Sequence, residues 1–398
     1  MLDKAKALSQ EIVRLRRDIH RHPELSFQEV RTARVVAETL QEIGGMTVRT
    51  GIGKTGVVGE MGTGQGPTIA IRADMDALPI LEKTGAEYAS ANPGVMHACG
   101  HDAHTAILLG VAHLLKDSFA QDGLQGNVRF LFQPAEEDCD AEGISGAPRM
   151  IENGALDGVD AIIALHMDST SPSGVVLVQS GWSSAAADTF DAWLTASGGH
   201  GAFPHLNTDP LWMLGPVLMS LHGIVARRVD PFKSAVVSLG QVHAGTASNI
   251  IPGEVYLQGT LRSFDPEVRE QLIAEVERAL AVVRPLGGDF RLEIQRGYPA
   301  GWNDPTVAGW LASVSADLLG GEAVKPESLS MGAEDFAFMC QQAPGAMIMI
   351  GAAKPDGLTR NHHTDIFDID EATLPIGAAI LAETARRFLT GEVTLNNA

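Results

Sequence analysis

Apolar residues recur at helical spacing in the opening stretch. Leu8, Ile12, Leu15 and Ile19 share one face, and the His22-Pro23 step ends the run, because a proline disfavours helical backbone at the residue before it. Ser26 followed by Glu29 has the spacing of a capping box and predicts a second helix, closed by Gly44-Gly45. Strand patterns follow. Thr47–Arg49 and Val57–Glu60 read as a hairpin, and Thr68–Arg72 is a short apolar run with Asp74 and Asp76 just beyond it. A helix over Asp102–Asp117 places Ile107, Leu108, Val111, Leu114 and Leu115 on one face. The strand Val128–Phe132 then runs into Gln133-Pro134 and Glu136-Glu137, and a further strand, Asp160–Leu165, ends at His166. Strands alternating with helices predict an α/β fold with a mostly parallel sheet. In such sheets the residues beyond the carboxyl ends of the strands line the site, and here they are acids and histidines.

The middle of the chain changes character. Strand Thr189–Leu194, a glycine-rich turn at Ser197–Gly201, helix Pro210–Arg227, strands Ala235–Val242 and Glu254–Arg262, helix Pro266–Val283 and strand Phe290–Gln295 give the order βαββαβ. That order predicts an inserted α+β domain over 185–299, flanked by two parts of one larger domain, 1–184 and 300–398. The last part ends in a long helix from about Glu371 to Leu389. Gly51-Ile52-Gly53-Lys54-Thr55-Gly56 spells a dinucleotide fingerprint, but strand rather than helix follows it, and Val48 stands where a P-loop needs glycine. It reads as a hairpin turn.

Composition narrows the class. With 398 residues, 45% apolar and 20% charged, the chain can bury a sizeable core and is not a disordered protein. A formal charge of −20 argues against nucleic acid or an anionic membrane surface as partner, and leaves a small molecule. No run of about 18 apolar residues suggests a membrane span, Met1–Asp18 lacks the apolar centre of a secretion signal, and Cys99, Cys139 and Cys340 are too scattered for a disulfide framework. A cytoplasmic enzyme is the expectation.

The densest chemistry is His97-Ala98-Cys99-Gly100-His101-Asp102-Ala103-His104. A thiolate and an imidazole two residues apart, on a glycine turn before a helix, can hold one ion from two sides. Taken alone, the stretch also suits a buried cysteine beside a helix-capping Asp102. Asp74, Asp76, Glu136, Glu137, His166, His362 and His363 shift the balance, since they add ligand types where the sheet would gather them. A carboxylate near dications but not bound to both can accept a proton from water, which gives Glu136-Glu137 a reading beyond a solvated turn.

Across nearly its whole length the chain resembles the amidohydrolase branch of the M20 metallopeptidase family. That branch includes hippurate hydrolases, N-acyl-amino-acid amidohydrolases, thermostable microbial carboxypeptidases and plant auxin-conjugate hydrolases. The resemblance lies in RDIHRHPE (Arg17–Glu24), IRADMDALP (Ile71–Pro79), MHACGHDAHTAILLG (Met96–Gly110) and FQPAEE (Phe132–Glu137). It continues in Leu165-His166, GGHGAFPH (Gly198–His205), GTASNIIPGEVYLQGTLR (Gly245–Arg262), MGAEDF (Met331–Phe336) and HTDIFDID (His363–Asp370). It implies two divalent metal ions, with Cys99 as the bridging thiolate and His101, Glu137, His166 and His363 as the other ligands. His362 then falls outside the ligand set. Glu136 is similar to the general base that deprotonates the bridging water and later protonates the leaving amine, and Asp76 to the aspartate that orients the site. One soft thiolate among imidazoles and carboxylates suits Mn, Zn, Co or Ni.

The resemblance further implies that the inserted domain carries a homodimer contact and closes over the site. His200 is similar to the histidine that reaches the partner subunit's active site and stabilises the tetrahedral oxyanion, and Asn249 and Arg262 to residues that bind the substrate's carboxylate. The implied reaction is hydrolysis of N-acyl or N-aminoacyl amino acids at the amide beside a free carboxylate. Dipeptidase, carboxypeptidase or biosynthetic deacetylase activity on the same fold is the alternative, and a binding protein without catalysis is disfavoured by the retained Glu136. Asp365 stands where the family usually has proline, and the loop after the glutamate pair adds Asp138, Asp140 and Glu142 around Cys139. Those acids predict a preference for neutral or basic acyl groups.

Overall fold

The computed structural model describes residues 1–326 and 329–395. The chain divides into two compact units, one of Met1–Ser183, Trp302–Ser328 and Phe338–Ala398, the other of Ser184–Gly301 with Leu329–Ala337. The last of these segments contains the MGAEDF stretch, which the sequence reading left within 300–398.

In chain order the elements are α1 (Leu2–Ala7), α2 (Ser9–Arg21), α3 (Val30–Ile43), β1 (Thr47–Ile52), β2 (Gly56–Gly62), β3 (Thr68–Asp74), α4 (His101–Asp122), β4 (Asn127–Gln133), α5 (Gly146–Glu152), β5 (Ala161–Pro172), β6 (Val176–Val178) and β7 (Gly181–Ser184). Next come β8 (Ala186–Thr195), β9 (Gly199–His200), α6 (Pro210–Arg228), β10 (Ala235–Ala244), β11 (Ile250–Ile251), β12 (Glu254–Ser263), α7 (Pro266–Leu280) and β13 (Asp289–Arg296). The chain closes with β14 (Gly301–Asn303), α8 (Pro305–Leu319), β15 (Val324–Pro326), α9 (Phe336–Cys340), β16 (Gly345–Ala353) and α10 (Leu374–Leu389).

The first unit is built on an eight-stranded sheet in the order β1-β2-β4-β3-β5-β16-β6-β15. Its centre, β4-β3-β5-β16, is parallel. β3 and β4 are buried along their whole length, which is why both read as unbroken apolar runs rather than alternating ones. Helices α2, α4 and α10 pack together over the sheet, and Ile69, Ile71, Phe130 and Phe132 meet Ile107, Leu108 and Leu381 in one core. The second unit has its own core, with Phe190, Leu194, Met213, Leu257, Leu272 and Val276 between α6, α7 and the antiparallel sheet β10-β12-β8-β13. Asp209 and Asp265 cap the two helices ahead of Pro210 and Pro266.

The structure departs from the sequence pattern in three places. The first 45 residues hold three helices, not two. The Ser26–Glu29 capping box does not form, because both side chains have stronger partners elsewhere. Ser26 Oγ donates to Asp76 Oδ2 at 2.6 Å, while the Glu29 carboxylate accepts from Phe27 N, Ala135 N and Thr55 Oγ1. Strand β5 runs on to Pro172, so His166 lies inside it rather than at its end. The Gly51–Gly56 stretch is the turn joining β1 to β2, as expected.

Arg16 ties this unit together. It is fully buried, and its guanidinium binds Asp102 (2.7 Å), Asp368 (3.2 Å) and Glu371 (3.1 Å) while stacking on Tyr88. Asp102 is the second residue of α4 and also meets His20 Nδ1 at 2.8 Å. Burial opposes the charge on Asp102, yet Arg16 and His20 hold its carboxyl far below the usual range. Replacing Arg16 by leucine leaves the buried Asp102 with His20 and takes one cation from Asp368, which keeps Lys354, and should cost about 3–5 kcal/mol in urea unfolding. Arg17→Ala, which breaks a partly exposed pair with Glu371 and a contact over the Tyr88 ring, should cost less, about 1 kcal/mol. Equal losses for the two variants would remove Arg16 from its keystone role.

Candidate metal centre

The donors gather where the parallel strands end. Cys99 and His101 flank Gly100, the residue before α4, whose φ of +94° is a left-handed conformation that favours glycine. Glu136 and Glu137 follow β4, His166 sits in β5 beyond the last residue paired with β3, and His363 lies on the loop after β16. The His363 amide donates to Ala98 O at 2.8 Å, joining the two ligand-bearing loops directly.

Potential ligand atoms of Cys99, His101 and His166 lie within 4.8 Å of one another, as do those of Cys99, Glu137 and His363, so Cys99 is common to two triads. His166 Nε2 is 3.5 Å from Cys99 Sγ. Nε2 of the fully buried His101 stands 3.7 Å from Asp74, 4.0 Å from Glu136 and 3.9 Å from Glu137, with no hydrogen-bond partner. Glu137 Oε1 lies 3.1 Å from His363 Nε2 without the alignment of a hydrogen bond. Buried polar atoms are rarely left this way. Donor atoms that face a common centre instead of one another fit a bound cation. The set of one thiolate, three imidazoles and one carboxylate fits a borderline divalent metal.

The electrostatics agree. Burial opposes charge on His101, but Asp74, Asp76 and Glu137 push its pKa up to about 10. Burial, then Glu137, Glu136 and Asp74, push the Cys99 thiol well above its ordinary value. Without a metal both groups therefore keep their protons, and the concentrated negative field is one that a dication would neutralise.

Around the donors, single groups hold several at once. His166 Nδ1 and His362 Nε2 both donate to Met167 O (2.8 and 2.9 Å), and the Met167 amide donates to His104 Nε2 at 2.9 Å. His104 Nδ1 in turn donates to Asp74 Oδ1 at 2.6 Å, and Arg72 binds Asp74 Oδ2 at 2.8 Å. Asp74 and His104 are thus satisfied by each other and by their neighbours, although with His101 they form a third close group. Burial, with His166 adding to it, pushes His362 down to about 3, as suits a neutral ring donating to a carbonyl. Asp76 accepts from His101 Nδ1 at 3.3 Å and from the amides of Glu136 (3.1 Å) and Glu137 (3.0 Å).

All five residues read as ligands, with Glu136 and Asp76, lie together in the first unit. His200, Asn249 and Arg262 belong to the second. There His200 is exposed on β9, opposite Ile250 of β11, and Asn249 O accepts from the next amide along, that of Gly201. Arg262 is half-buried on β12 and, among the described residues, makes no side-chain hydrogen bond or ion pair.

The added acids are not the free charges the sequence suggested. Asp140 binds Lys54 (2.5 Å) and Arg149 (2.8 Å), and Glu142 binds Arg149 at 2.6 Å. The distant Lys54 and the nearby Arg149 offset two of the three acids, which weakens the expected bias against acidic acyl groups. The sequence reading also missed Glu29, Thr55, Arg72 and Met167. Met167 acts through its backbone and leaves no side-chain signal. The spacing of Glu29 pointed to a local cap instead.

Residues 70–387 match the family described as Peptidase family M20/M25/M40. The chain is 38% identical over 382 residues to thermostable carboxypeptidase 1 of Saccharolobus solfataricus, covering 95% of each protein. It is 39% identical to the N-acetyl-L-cysteine deacetylase of Bacillus subtilis, over 96% of this chain and 89% of that one. The crystal structure of the Bacillus subtilis YXEP protein, described as a dinuclear metal binding peptidase from the M20 family, superposes with a TM-score of 0.83 at 34% identity. That match covers 97% of this chain and 99% of the other.

Because Cys99 and His101 both hold protons in the metal-free site, divalent metal binding at pH 7 should release more than one proton, and affinity should rise with pH. Calorimetry in buffers of different ionisation enthalpy reads the number directly. Release of no protons would remove Cys99 and His101 from the ligand set.

Proposed function

The chain belongs to peptidase family M20/M25/M40 and is a metal-dependent hydrolase of the amidohydrolase type, and from that premise we propose that it cleaves the amide bond of N-acyl or N-aminoacyl amino acids with a free carboxylate. The observation that carries this reading is the convergence of Cys99, His101, Glu137, His166 and His363, with the Glu136 carboxylate against the same centre. These five residues would hold two divalent ions, Mn, Zn, Co or Ni, with Cys99 shared. Such ions supply Lewis-acid polarisation of an amide carbonyl and lower the pKa of water.

The chain's own residues do the rest. Glu136 takes the proton from the attacking water and hands it to the leaving amine, a role that needs a carboxylate beside the ligands. Asp76 orients His101 and holds the amides of Glu136 and Glu137, so ligand and base keep a fixed spacing. In the second unit, His200 would stabilise the oxyanion, and Asn249 with Arg262 would bind the substrate carboxylate. The half-buried guanidinium of Arg262 supports that assignment, since among the described residues it makes no ion pair, although the charge of Asp188 acts on it. The proposal takes the protein as a cytoplasmic homodimer joined through the second unit, where Trp212, Met219 and Phe232 are exposed. Cleavage of short peptides is the second reading, favoured by the name of the Saccharolobus relative.

Chelator-stripped protein should be inactive on hippurate, N-acetyl-amino acids, an indole-acetyl conjugate and dipeptides, and Mn, Co, Ni or Zn should restore cleavage of the acyl-amino acids. Restoration on dipeptides alone would favour the second reading. Glu136→Gln should keep its metal and lose about 100-fold or more in kcat. Near-full activity in that variant would show that the base is another group. Arg262→Ala should raise KM by about 10-fold or more for substrates with a free carboxylate and far less for their amides. The same rise for both would move the carboxylate site elsewhere.

A further inference from the structure

Non-glycine residues with left-handed backbone are uncommon, and the described residues include four: Phe27 (φ +59°), Lys54 (+77°), Ala135 (+47°) and His363 (+60°). His363 is one of the assigned ligands. The other three sit on separate loops that meet at one buried side chain, Glu29. Its Oε1 accepts from the amides of Phe27 and Ala135, both at 2.9 Å, and its Oε2 from the hydroxyl of Thr55, next to Lys54. Lys54 also lies over the Phe27 ring, 4.5 Å from its centre. Among the described residues Glu29 belongs to none of the clusters that could hold a metal, and it does not cap α3, whose first-turn amides at Arg31 and Thr32 donate to Glu24 instead.

What it holds is informative. Ala135, Glu136 and Glu137 present consecutive amides, and each donates to a buried carboxylate: the first to Glu29, the next two to the two oxygens of Asp76. Strained backbone persists only where its surroundings over-determine it, and such strain clusters at functional sites. Without an acceptor, the Ala135 amide would lose the contact that offsets its left-handed conformation. Relaxation there swings the peptide that leads directly into Glu136.

We propose that Glu29 is a positioning residue, which fixes the backbone of the loop bearing Glu136 and Glu137 and so sets where the Glu136 carboxylate stands. The inference rests on the reading of Glu136 as the proton carrier. Asp76 is shared between His101 and this loop, whereas Glu29 serves the loop without touching a ligand. Its neighbours on the packed elements are Asp76, Thr55, Phe27 and Ala135. Burial, with the Asp76 charge beside it, pushes its carboxyl up to about 7, so a neutral amide is a close replacement. In Glu29→Gln the amide oxygen can still accept from Phe27 and Ala135, and the Thr55 hydroxyl can turn to accept from the amide nitrogen.

The test compares Glu29→Ala, Glu29→Gln and Thr55→Val in metal-loaded full-length protein. The readouts are metal content, kcat and KM on the best acyl-amino acid, and amide hydrogen exchange of the peptide spanning 134–138. Glu29→Ala should keep its metal and its KM within about 3-fold, lose about 10–100-fold in kcat, and exchange faster at 134–138. Glu29→Gln should restore both slow exchange and kcat to within about 3-fold of wild type. Thr55→Val should show the same pattern as Glu29→Ala at smaller amplitude, and it carries the test if the alanine variant does not fold. Unchanged exchange in the alanine and valine variants overturns the proposal, as does faster exchange with unchanged kcat, or a glutamine variant as impaired as the alanine one. A wild type that hydrolyses nothing on the panel sinks the hydrolase reading, while the exchange comparison still decides whether Glu29 holds the loop.

Discussion

Charge taken out of water has to be matched, and this requirement organises the first unit. Asp74, Asp76, Asp102 and Glu29 are all buried. An unpaired carboxylate in such surroundings costs several kcal/mol, so each has been given partners. Asp74 has Arg72 and His104, Asp102 has Arg16 and His20, and Asp76 has His101, Ser26 and two amides. Glu29 has two amides and a hydroxyl. After these matches, His101 Nε2 and Glu137 Oε1 are among the buried atoms left without a hydrogen bond, with Cys99 and His166 alongside. The metal centre gathers donor atoms that this charge matching leaves open.

The sheet explains why the match can be so tight. β3 pairs with β5 only as far as Arg72 opposite Ala164 and ends at Asp74, still paired with β4. β5 continues, still paired with β16 on its other side through Met167 and beyond. Backbone groups on the edge that β3 vacates need partners, and at Met167 histidines take the place of a strand: His104 accepts from its amide, and His166 and His362 donate to its carbonyl. A ladder residue held by β16 thereby aligns three imidazoles. Only His166 then keeps a nitrogen turned toward Cys99, which separates ligand from support among rings that sequence alone cannot rank.

Legibility in the sequence followed this physics. The strand-helix alternation, the parallel centre of the sheet and the hairpin at Gly51–Gly56 were readable because they rest on local periodicity. The cluster of Cys99, His101, Glu136, Glu137, His166 and His363 was readable because strands of a parallel sheet deliver their carboxyl ends to one edge. The capping box at Ser26–Glu29 misled, because a spacing rule describes what a side chain does when no better partner exists, and Asp76 and Ala135 are better partners. The acidic loop misled for a related reason. Lys54 lies 86 residues from Asp140, and no local pattern reveals that they pair.

The distribution of strain completes the argument. The strands and helices of the first unit obey ordinary backbone preferences, and its left-handed non-glycine residues fall in the loops that frame the metal centre. Each such residue costs about 1–3 kcal/mol, a sum that short loops could not sustain by their own contacts. The buried carboxylates supply what the loops lack. By binding backbone amides, Glu29 and Asp76 turn the satisfaction of buried carboxylates into backbone placement, so the same interaction that makes burial of acids tolerable also sets the geometry of base and ligand. A substitution that relieves the strain, such as glycine at Ala135, is then expected to stabilise the loop and loosen the site together. Stability and precision are opposed at that residue because one set of hydrogen bonds serves both.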